Sequence, residues 1–137
     1  MKNMNKEFLD SEREFLDLEH KYMILVPLNE DGLEELYQYN IYKDGKISEN
    51  MKAMSFYEDT YSYMEDRLFD FINLVCGSLI NMYEEEVIEN NQLEKVLDIT
   101  NKLIHNNDDE HFVEFAKEFK SLIELAIEKK TVVGFYF

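Results

Sequence analysis

Two histidines and three carboxylates fall within the short stretch His105-Asn-Asn-Asp-Asp-Glu-His111. Imidazole and carboxylate together could hold a divalent cation. The histidine spacing matches neither the i,i+4 pair of a helical zinc site nor any loop of defined ligand geometry. A structural reading suffices: Asn106 and Asn107 end one helix, and Asp108, Asp109 and Glu110 open the next. His20, beside Glu19, reads as a surface residue at a helix end.

Nucleophilic chemistry fares no better. Cys76 is the only cysteine, and the acidic sequence around it disfavours a thiolate, so it reads as a small packed thiol. Gly77, beside it in an apparent helix, is expected to mark the close packing of another element. The four glycines, Gly32, Gly45, Gly77 and Gly134, are too scattered to make a phosphate cradle or a dinucleotide fingerprint. No nucleophile-elbow sequence occurs, and among 30 acids no acid/base pair can be singled out. The expectation is a non-catalytic protein with no cofactor and no metal.

The charge balance is more informative. Across 137 residues, 14 basic and 30 acidic side chains leave a net charge of −16. A 45% hydrophobic content is too rich for a disordered acidic tail and fits one domain, residues 1–137. Such a polyanion is repelled by nucleic acid and by anionic membranes. No run approaches the roughly 18–20 apolar residues of a membrane span. A lone cysteine and an N-terminus without an apolar core point to the cytoplasm. Three partners remain: a basic protein, a small molecule, or a second copy.

The elements that must position these residues follow from periodicity. Residues 6–22 predict a helix in which Phe8, Leu9, Phe15 and Leu16 share a stripe, through the echo Glu7-Phe-Leu-Asp and Glu14-Phe-Leu-Asp. The apolar run 22–28 predicts a buried strand; Pro27 either ends its pairing or puts it at an edge. Asn29 to Gly32 reads as a turn, and 36–43 as a strand with Tyr37, Tyr39 and Ile41 on one face. Asp44-Gly45 is a type I′ hairpin signal, with the return strand in 46–56. Residues 51–56 either carry that strand on or start a helix, and the strand is adopted. Apolar residues from Tyr61 through Phe71, Val75 and Leu79 to Tyr83 predict one long helix. Two further helices, around 93–104 and 112–127, precede a C-terminal strand at 131–137, expected to join 22–28 in one sheet. The fold class is α+β: a small, mostly antiparallel sheet against an N-terminal helix and three C-terminal helices.

On the long helix, Glu58, Asp59, Glu65, Asp66 and Asp70 fall off the apolar stripe, as do Glu84, Glu85, Glu86 and Glu89. Tyr63 also falls off it and is the best candidate for an exposed aromatic, whereas Tyr39, Tyr42 and Tyr57 suit the edge of the core. Complementary charge can raise association rates from ~10⁵–10⁶ to 10⁸–10⁹ M⁻¹s⁻¹ at low salt, and aromatic anchors extend lifetime. The profile fits an acidic protein that neutralises a basic one, most concretely an immunity protein or antitoxin occluding a nuclease toxin. A phage-type DNA mimic that blocks a nucleic-acid-binding defence enzyme has the same profile. The rival from another class is a self-associating module, a homodimer built on the N-terminal stripe or on the edge of the C-terminal strand.

Overall fold

Residues Tyr22–Pro27 form strand β1, and all six are buried. The computed structural model describes residues 21–81 and 85–137; the helix expected over 6–22 therefore lies, up to residue 20, outside the described residues. Tyr22 itself belongs to β1.

A run apolar on both faces needs a cover on both faces, and β1 has one on each. After β1 comes helix α1, Glu30–Tyr37. The hairpin strands β2, Tyr42–Lys43, and β3, Lys46–Ile47, follow. Strand β4 is Met51–Phe56. Helix α2, Glu58–Met64, runs through a π-helical turn, Glu65–Phe69, into α3, Asp70–Cys76. Strand β5, Glu85–Ile88, precedes helices α4, Leu93–His105, and α5, Glu110–Lys129. Strand β6, Val133–Tyr136, ends the order. The fold is α+β, with a four-stranded antiparallel sheet in the order β4-β1-β6-β5. One sheet face (Tyr22, Ile24, Val26, Met54, Phe56, Phe135) packs on α2 to α5, and the other (Met23, Leu25, Met51) on α1 and the hairpin. Leu36 of α1 reaches the sheet where Gly134 has no side chain; a Cβ there would lie 2.9 Å from Leu36 Cδ1.

The sequence reading holds for β1, the type I′ hairpin, α4, α5 and the union of β6 with β1. At the hairpin, Asp44 and Gly45 have φ of 54° and 77°. Asp109 caps α5 by accepting from the amide of His111 at 3.0 Å. Elsewhere the structure differs. Residues 29–32 are the start of a helix: the Asn29 side chain accepts from the Gly32 amide at 2.8 Å, with Glu30 and Asp31 in the first turn. The expected strand 36–43 therefore shrinks to Tyr42–Lys43, which pairs only with β3 in a separate two-stranded sheet. The expected strand 46–56 is split into β3 and β4. The C-terminal strand is no exposed edge, because β6 is paired on both sides. Pro27 is not at a sheet edge either: it stays opposite Met51, while pairing toward β6 stops at Leu25.

The largest change is in residues 61–83. The extra residue of the π turn rotates everything after it, so the core receives Tyr61, Met64, Leu68, Phe69 and Ile72. Phe71 and Val75, expected inward, face out. The helix then ends at Cys76, its last residue, and Gly77 caps it at φ 65°, with nothing within 4 Å of the point where a Cβ would project. Gly77 thus serves backbone conformation, not close packing. Glu85 to Ile88 leave the helix altogether and form an edge strand, blunted by its carboxylates. This gives a test by sign. In a helix interior, Gly77→Ala would stabilise by roughly 1 kcal/mol; at a left-handed cap it should destabilise by about 1 kcal/mol, measured by urea unfolding.

Candidate functional site

The helical rod from α2 through α3 turns its apolar side to the sheet, which leaves Glu58, Asp59, Glu65, Asp66 and Asp70 exposed on the outside. Glu58 and Asp59 sit in the first turn of α2, where the helix dipole favours them. Glu65, Asp66 and Asp70 lie further along and close together. The Asp70 carboxyl is pushed above its ordinary value, first by burial and then by the charges of Glu65 and Asp66. Glu65 accepts a hydrogen bond from the Tyr61 hydroxyl at 2.9 Å. Arg67, the rod's one basic residue, is turned back along it: it pairs with Asp66 at 3.2 Å and donates to the Tyr63 carbonyl at 2.8 Å. Its guanidinium lies 4.0 Å over the Tyr63 ring, whose other neighbour is the His111 ring at 4.8 Å. Tyr63 is therefore a half-buried contact residue, not the exposed aromatic expected.

Beside these acids the rotated helix presents Phe71, Leu74 and Val75, joined by Leu79 from the following loop; Leu74 is 80% and Leu79 71% exposed. A cleft of about 410 Å³ opens between the two groups, with Glu65, Asp70, Leu79 and Ile80 among its walls. Asn73 latches the loop to α3, its side chain accepting from the Ile80 amide at 2.8 Å and donating to the Ile80 carbonyl at 3.0 Å. Glu86 reaches from β5 to accept from the Leu79 amide at 2.6 Å. Of the acids singled out from sequence, the fold thus gathers Glu65, Asp66 and Asp70, with Glu86 bordering them. Glu85 faces the other side of the sheet, with Val87, and Glu84 lies outside the described residues.

Sequence reasoning missed two things. One is the exposed apolar row on α3, hidden because its spacing continues the core stripe. The other is that Tyr39, Tyr42 and Tyr57, placed at the core edge, are exposed, together with Tyr37. Not every acid is available. Glu35 is buried and tied to Lys43 at 2.7 Å and to Ser48 and Asn50, and this holds its carboxyl below the usual range. Among the described residues that pair and Arg67–Asp66 are the ion pairs formed.

The other candidates stay apart. His105 ends α4 and His111 starts α5, both exposed, and no group of three or more His, Cys, Asp or Glu converges among the described residues. Burial pushes the Cys76 thiol up, with Lys95 opposing only in part. Among the described residues no helix is long and apolar enough to cross a membrane. Comparison with family models, curated proteins and solved structures found no match for this chain.

The raised Asp70 carboxyl has a consequence for stability. A folded-state value above the unfolded one means that ionised Asp70 opposes folding at neutral pH, and that this cost disappears as acid protonates it in both states. Asp70→Asn should therefore melt above the parent at neutral pH, with the two curves converging as the pH falls through the carboxylate range. Calorimetry across that range checks it.

Proposed function

We propose that this chain is a non-catalytic, cytoplasmic binding protein that neutralises a basic protein, most concretely an immunity protein or antitoxin that occludes a nuclease toxin. One observation carries the reading: Glu65, Asp66 and Asp70 crowd together, at a cost to Asp70, beside the exposed side chains of Phe71, Leu74, Val75 and Leu79. A solvated surface gains nothing from crowding like charges or from exposing four large apolar groups in one place. A basic partner offsets both costs. Its cations relieve the repulsion and steer the encounter, and its apolar groups cover α3 and slow dissociation. A nuclease fits because the surface that holds nucleic acid must be basic.

The test is a tagged pull-down from the native host at about 0.1 M and about 1 M salt, where the Debye length falls from roughly 10 to 3 Å. The expected result is a near-stoichiometric basic protein at low salt. It should be lost from the combined variant Glu65→Lys, Asp66→Lys, Asp70→Lys, whose fold is preserved because all three side chains are exposed. Capture indifferent to both salt and the reversal would contradict the reading. A salt-insensitive homodimer formed through Leu74 and Leu79 would replace it with self-association.

A further inference from the structure

The helix α1 ends in a way that a simple cap does not require. Tyr39 donates its amide to the Leu36 carbonyl at 3.2 Å, and Asn40 donates to the Glu35 carbonyl at 2.8 Å, the paired bonds of a Schellman ending. The left-handed position in that motif belongs by preference to glycine, yet here a tyrosine occupies it at φ 57°. Nor is Tyr39 there to fill the core, since it is 64% exposed. Its ring lies 5.9 Å from that of Tyr136.

Two neighbouring rings are fixed by their hydroxyls. Tyr136 donates to the Leu36 carbonyl at 2.8 Å, and Tyr37 donates to a Glu89 carboxylate oxygen at 3.0 Å. The three tyrosines, with Glu85 and Glu86, wall a cleft of about 230 Å³ that no basic side chain lines among the described residues. Pockets for drug-sized ligands span roughly 300–1,000 Å³, so this one suits a single side chain. Aromatic faces with carboxylates behind them attract an organic cation through the ring quadrupole and through charge together. Rings pinned before binding lose little freedom on binding.

The geometry points to the Tyr37–Tyr39–Tyr136 cleft as a receptor for one arginine side chain of the basic partner. This rests on the reading above that the partner is basic, and it adds a second contact on the opposite face of the sheet from the acidic rod. The left-handed backbone at Tyr39 is what aims the third ring.

The experiment is a titration of the ¹⁵N-labelled full chain with N-acetyl-arginine amide, using N-acetyl-alanine amide as the neutral control. Saturable shifts are expected at the amides of Tyr37, Tyr39, Asn40, Glu85 and Val87, with no response to the alanine compound. Tyr39→Gly should weaken the arginine compound at least fivefold while melting at or above the parent temperature, because glycine suits the backbone there. Glu85→Gln should weaken it with no change in melting. Shifts spread over all exposed acids without saturation, Tyr39→Gly binding as tightly as the parent, or a clear drop in its melting temperature would each overturn the assignment. The two readings fail separately. Loss of pull-down in the rod reversal with no arginine binding here would keep the acidic rod and remove this cleft. Saturable arginine binding with a failed pull-down would do the reverse.

Discussion

A single π-helical turn, Glu65–Phe69, decides which side of the long helical rod meets the sheet. With it in place Leu68 and Phe69 are both fully buried, and Phe69 lies 6.3 Å from Phe56 and 5.9 Å from Tyr61 in stacked pairs, with Phe115 edge-on at 6.1 Å. Consecutive residues of an α-helix are about 100° apart, so a regular helix could not send both so deeply into one core. The added residue makes this possible and shifts the phase of all that follows. Ile72 goes in, while Phe71, Leu74 and Val75 come out beside Asp70. The proposed binding surface is thus a by-product of how the aromatic core is filled, and π turns of this kind recur at functional sites.

The molecule divides into places where each level of structure agrees and places where it does not. In the sheet, β1 and β6 are apolar, paired and covered, and caps such as Asn29 and Asp109 do what their side-chain chemistry favours. At Asp70 and Tyr39 the local choice is adverse: a carboxylate among carboxylates, and a tyrosine where the backbone suits glycine. Sequences that break local rules while keeping the global fold tend to do so where a ligand supplies the compensation. Both positions lie beside a cleft, which is the physical reason for attaching function to them and not to acids such as Glu35 that already have partners.

Legibility in the sequence followed the same division. The strands β1 and β6, the Asp44-Gly45 hairpin and the helices α4 and α5 were readable because burial, turn chemistry and periodicity agree there. Helix α1 was not, since Asn29-Glu-Asp-Gly32 serves equally as a turn and as a capped first turn, and the alternation of Leu36, Gln38, Asn40 and Tyr42 imitates a strand. Strand β5 was hidden because a three-four spacing carried on through Leu79 to Tyr83, although Glu85, Val87 and Glu86, Ile88 do alternate. The π turn has no local signature. It arises from the tertiary demand for two adjacent buried residues, and so the exposed apolar row, half of the candidate site, was beyond reach. The acidic half was legible, because charge off an apolar stripe is a statement about composition and period alone.

The most direct measurement of the central claim is amide hydrogen exchange on the full chain, alone and in complex with the basic protein it captures. The account predicts slowed exchange along the rod and its loop, residues 65–81, and around Tyr37 to Asn40, with the interior strands β1 and β6 unchanged. Protection confined to the free edge of β4, with none on the rod, would contradict it.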